Sequence, residues 1–144
     1  MNAVAFEHFG HGADVGVRGF GATPAEAFAG AARALFVLLS GEDSPVQAVI
    51  EERVEVEAAN REELLVAFLN ELISLADTRR LVFGRFEIEM SDDSTPVRQK
   101  ARVYGEPFDP QRHELTVVPK GATFTALRVA REGDRWVAQC VVDV

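Results

Sequence analysis

Oxygen donors gather at three places in this chain where simple packing does not call for them. The first is His11-Gly12-Ala13-Asp14. An aspartate near a strand start, beside glycines that let backbone come close, suits a hard cation. The alternative is a turn in which Asp14 caps backbone N–H groups. The second place is Val142-Asp143-Val144. A chain ending there offers the Asp143 carboxylate and a terminal carboxylate at Val144, a compact pair of anionic donors for Ca²⁺ or Mg²⁺. The alternative is a frayed, solvated tail, against which the apolar Val141-Val142 argues. The third place runs from Gly105-Glu106-Pro107 to His113-Glu114 and on to Pro119-Lys120-Gly121-Ala122-Thr123, mixing acid, imidazole and amine. Its alternative is a solvated loop of turn residues. Glu71 lies within the apolar band of a helical pattern, where it either faces a sheet or snorkels its head into solvent.

Other chemistries find no support. No G-x-x-x-x-G-K-[ST] phosphate loop or G-x-S-x-G nucleophile elbow occurs. Gly16 to Gly21 is glycine-rich but has the wrong spacing for a dinucleotide fingerprint. Cys140 is the single cysteine, so neither an intrachain disulfide nor a thiolate zinc cluster can form. Its strand-like surroundings read as those of a small buried thiol.

The elements that must position these residues carry their own signals. Thr23-Pro24-Ala25-Glu26 supplies a capping hydroxyl, a proline at the first helical position and a glutamate that can reach back to the cap. Phe28, Ala31, Ala32, Leu35 and Leu39 follow at helical spacing, with Gly41 as a stop. Asn60-Arg61-Glu62-Glu63 repeats the start, and Leu64, Leu65, Phe68, Leu69, Leu72 and Leu75 form a stripe before Asp77. Alternation predicts strands around Val54–Ala58, Phe86–Met90, Ala101–Tyr104, Ala126–Arg131 and Arg135–Val144, the last two joined by a Gly133-Asp134 hairpin turn. Shorter strands are expected over Val4–Phe9 and Ala13–Phe20. Many alternating strands with two amphipathic helices predict an α+β, two-layer sandwich with a mixed or antiparallel sheet, in one domain over residues 1–144.

Bulk properties narrow the function. The net charge is −8, and Lys100 and Lys120 are the only lysines. A chain that grips a phosphate backbone by itself needs a basic patch, so RNA is expected only indirectly, through a partner that brings the basic surface. The apolar run Ala27–Leu39 is broken by Gly30 and Arg33, and Met1–Gly10 lacks a signal-peptide pattern. A cytoplasmic location without membrane attachment is the expectation.

Taken together, the motifs resemble the archease family. Phe6-Glu7-His8, then His11 through Gly21, Thr23 and Ala25-Glu26-Ala27-Phe28 look like its opening. Glu63-Leu64-Leu65, Leu69-Asn70-Glu71-Leu72, Asp77, Gly105-Glu106, Asp109, Arg112-His113, Lys120, Thr123, Trp136 and Val142-Asp143-Val144 follow in family order. Gly12, Thr125 and Pro119 depart from the common pattern. The resemblance implies an accessory protein, not a catalyst. Such proteins activate a GTP-dependent RNA-splicing ligase by promoting its guanylylation and its turnover. It also implies a divalent metal, calcium first with magnesium or manganese as alternatives, held by Asp14, Asp143 and Val144. Glu71, His113 and Lys120 are weaker candidates for supporting that site or touching the ligase. Two competing readings stay open: a small metal-dependent phosphoester hydrolase with His11 or His113 as acid–base, and a general folding modulator.

Overall fold

The structure, a computed structural model, describes residues 5–144. Met1–Val4, with the first residue of the expected opening strand, lie outside the described residues. The elements are β1 (Ala5–His11), β2 (Asp14–Gly21), α1 (Pro24–Ser40), β3 (Ile50–Ala58), α2 (Arg61–Arg79), β4 (Leu81–Ser91), β5 (Val97–Pro107), β6 (Gly121–Ala122), β7 (Arg128–Glu132) and β8 (Arg135–Asp143).

Both helices start where their side chains satisfy the exposed amides. Thr23 Oγ1 accepts from the Glu26 N–H at 3.2 Å, and Glu26 Oε2 accepts from the Thr23 N–H at 3.2 Å. Asn60 Oδ1 accepts from the Glu63 N–H at 2.8 Å. Each cap contributes about 1 kcal/mol. Gly41 closes α1, and Arg80 closes α2 in a left-handed conformation.

The α+β class is as the sequence predicts, with antiparallel strands divided between two sheets. One has the order β1-β2-β8-β6, with β7 also paired to β8; the other has the order β3-β5-β4. β8 is central to the first: β2 takes one edge, and β6 and β7 share the other. Helix α1 packs on β1, β2 and β8 of this sheet and on β4 of the second. Covered from both sides, it buries Gly30, Ala34, Phe36 and Val37 as well as Phe28, Ala31, Ala32 and Leu35 of the predicted stripe, while Leu39 is half-buried. A helix apolar around its whole circumference belongs inside a core. Phe36 meets the Phe83 ring edge-on at 5.4 Å, and Phe28 stacks with Phe68 at 6.5 Å.

The join between α1 and β2 is backbone on backbone. A Cβ on Gly19 would stand 2.1 Å from the Ala27 carbonyl oxygen and 2.2 Å from the Ala31 nitrogen, and one on Gly30 would stand 2.8 Å from Gly19 Cα. Only glycine permits this approach. Among the described residues no helix is long and apolar enough to cross a membrane.

Cys140 lies fully buried in β8, and burial pushes its thiol up to about 12. A thiol held protonated and shielded does not attack. Ellman's reagent at mildly alkaline pH is therefore expected to leave the native protein unlabelled and to titrate one thiol in concentrated urea. Rapid labelling of the native protein would refute the burial.

Candidate functional site

The pairing of β2 with β8 decides where the predicted ligands go. Their register ends at Val15 opposite Val142, so Asp14 and Asp143 stand side by side one step further on. The Val144 N–H donates to Asp14 Oδ1 at 3.3 Å, which ties the last residue to the start of β2. Asp14 is half-buried and Asp143 is exposed. Three residues from opposite ends of the sequence thus share one sheet end.

Two carboxylates on adjacent strands repel each other unless a cation lies between them. Among the described residues no lysine, arginine or histidine pairs with either one. No hydrogen bond within the described residues reaches Asp14 Oδ2 or the Asp143 carboxylate, which leaves these oxygens to an outside donor or ion. Hard anionic oxygens of this kind fit calcium, magnesium or manganese better than soft metals. Side chains alone give no group of three or more His, Cys, Asp or Glu that could hold a metal among the described residues. Beyond these side chains, the Val144 main chain is brought to Asp14 by its N–H bond.

Lys120 joins this end of the sheet through its backbone. Its N–H donates to the Asp143 carbonyl at 2.8 Å, and β6 follows at once, with Gly121 opposite Asp143 and Ala122 opposite Val142. Glu71 is exposed on α2, the solvent-facing alternative. Its neighbour Asn70 makes the contact instead. Asn70 Oδ1 accepts from the Ala122 N–H at 2.8 Å, and its Nδ2 donates to the Ala122 carbonyl at 3.2 Å. Sequence reasoning passed over Asn70; the available signal is an amide in mid-helix between Leu69 and Leu72, where such residues need a partner to be worth their low helix propensity.

His113 is placed elsewhere. It is 3% exposed, its Nδ1 accepts from the Asp109 N–H at 2.9 Å, and its Nε2 donates to Glu106 Oε2 at 3.1 Å. These bonds fix the neutral tautomer and occupy both ring nitrogens. A buried ring so committed offers no surface to a partner and no contact to the aspartates, so the supporting or contacting role expected of His113 is corrected to a structural one. Glu106 is the hub of this second cluster. Arg112 donates to its two oxygens at 2.6 and 2.8 Å, and the Gln47 N–H adds a bond at 2.9 Å. The Arg112 guanidinium, foremost among these donors, holds the Glu106 carboxyl down at about 2.

Known proteins agree with this chain over nearly its full length. The model of the Archease protein family (MTH1598/TM1083) matches residues 6–144. Protein archease of Pyrococcus furiosus is 38% identical over 140 residues, covering 96% of this chain and 98% of its own. That of Sulfolobus acidocaldarius is 30% identical over 139 residues, with the same coverage of 96% and 98%. The solution structure of protein 1598 of Methanobacterium thermoautotrophicum superposes with a TM-score of 0.82 at 28% identity, covering 96% of this chain and 98% of its own. Matched from residue 6 to residue 144 in sequence, and in fold, the chain belongs to the archease family of accessory proteins.

Proposed function

We propose that this protein is a cytoplasmic activator of a GTP-dependent RNA-splicing ligase and works through a divalent cation, calcium first, held by Asp14, Asp143 and main-chain oxygen of Val144. The supporting observation is the strand register that sets Asp14 beside Asp143, with the Val144 N–H 3.3 Å from Asp14 Oδ1, in a chain of this family. A bound cation shields phosphate charge during nucleotidyl transfer. The protein's own part is to present these carboxylates from a rigid sheet end, so that loading or withdrawing the ion at the ligase changes the rate of guanylylation while the chain itself does no chemistry. With a net charge of −8, it meets a partner whose RNA-binding surface is basic, and complementary charge speeds that encounter. RNA is touched, on this reading, only through the ligase.

The deciding experiment measures guanylylation and RNA joining by the cognate ligase with substoichiometric enzyme, with wild type or with folded Asp14→Ala and Asp143→Ala variants. Each variant is expected to lose at least about tenfold of the stimulation, as loss of a metal ligand does. Full stimulation by both would end the cation mechanism. A phosphoester hydrolase is the second reading, because the β1–β2 hairpin sets His11 opposite Asp14 in the strand register. Turnover of phosphate esters by the protein alone with Mg²⁺ or Mn²⁺ would favour it.

A further inference from the structure

We propose that Asn70 is a positioning residue for the cation site, whose amide replaces a missing neighbouring strand and holds the Lys120–Ala122 segment against Asp143. The inference rests on the reading of Asp14, Asp143 and Val144 as cation ligands.

β6 has only two residues, too few to define its own position by ladder bonds. On one side it lies along β8, where the Lys120 N–H donates to the Asp143 carbonyl at 2.8 Å. On the other side Ala122, 9% exposed, has an N–H and a C=O to satisfy. Leaving two buried peptide groups unpaired would favour withdrawal of the segment into water. A carboxamide carries the same donor and acceptor as a peptide group, and Asn70 spends both on Ala122, at 2.8 and 3.2 Å. Leucine lacks both groups, and glutamine sets them one methylene too far.

The anchor behind the amide is firm. Asn70 sits between Leu69 and Leu72 on α2, both fully buried, and α2 packs directly on β6. Rigidity therefore passes from the core of α2 through the amide to β6, and from β6 to the backbone of Asp143. Groups that fix ligands in this way tune affinity without touching the ion.

The test is calcium titration calorimetry on wild type, Asn70→Leu and Asn70→Gln, with amide hydrogen exchange at Ala122 and melting curves in chelator. Asn70→Leu is expected to bind Ca²⁺ roughly tenfold more weakly and to exchange Ala122 faster, at temperatures where the variant is fully folded. Asn70→Gln should fall between, and it carries the test if Asn70→Leu does not fold. Adding either change to Asp143→Ala should produce no further loss of Ca²⁺ affinity. Faster Ala122 exchange with Ca²⁺ affinity within about twofold of wild type would make Asn70 a structural tie only and overturn the proposal. Absence of Ca²⁺ binding by wild type itself would instead remove the reading of the ligands, and the positioning role with it.

Discussion

Gly19→Ala is expected to cost about 3 kcal/mol of folding free energy and to lower the melting temperature by roughly 10 °C. The added methyl would meet two backbone atoms, the Ala27 carbonyl oxygen at 2.1 Å and the Ala31 nitrogen at 2.2 Å. Backbone inside a buried helix cannot swing aside as a side chain does, so relief requires lifting α1 off β2. That in turn loosens the contacts of Phe28 and Leu35 deeper in the core. Gly30→Ala attacks the same gap from the helix side, 2.4 Å from the Ala5 carbonyl oxygen, and should cost a similar amount. Once either methyl has raised the helix, the second finds the space already open, so the double variant should lose less than the sum. Urea and thermal melts followed by circular dichroism measure all three. A wild-type melt for Gly19→Ala would show that the helix does not sit this close.

Replacing the hub of the second cluster should be nearly as damaging. Glu106→Gln is expected to cost about 3 kcal/mol at neutral pH, because a buried carboxylate with an arginine fork becomes an amide whose NH₂ faces other donors. Arg112, His113 and the Gln47 N–H all point at this group. The effect also has a pH signature. In the folded chain the Glu106 carboxyl is held at about 2 instead of the ordinary 4.5. The unfolded chain therefore takes up the proton first. The contribution is complete above about pH 4.5 and drains away as the pH falls towards about 2. The gap in urea midpoints between wild type and Glu106→Gln should accordingly be widest at neutral pH and narrow progressively in acid. A gap that holds constant down to pH 3 would mean that the carboxylate's charge is not what the cluster needs.

Local chemistry was legible in the sequence. Thr23 with Glu26, and Asn60 with Glu63, announced both helix starts, and each side chain makes the bond its position implies. The Gly133-Asp134 turn sits between Glu132 and Arg135, which pair across it. Alternation found the second halves of β3 and β4 and the middle of β5, but not the opening of β4, where Leu81, Val82 and Phe83 are all buried and no charged face alternates. What stayed hidden depends on partners distant in the chain. The second buried face of α1 is explained only by β4, which local periodicity cannot anticipate. β6 is two residues long and has no period at all. Asn70 read as one polar residue among several, since nothing local says that a peptide group waits opposite. His113 looked available because imidazole in a polar loop usually is; the loop instead folds it under Phe108 and against Glu106. The oxygen donors at Asp14 and Asp143 were legible by type, whereas their meeting is a property of the β2–β8 register alone.

That register has a consequence for timing during synthesis. β1 and β2 leave the ribosome well before β8, yet β8 is the neighbour β2 requires and occupies the middle of its sheet. Closing so long a span is entropically slow and yields nothing until both ends are present. A polypeptide released early, short of Arg135, would keep Asp14 but have no strand to set Asp143 beside it. The carboxylate pair is therefore assembled only after β8 has been made, and copies terminated before it carry none.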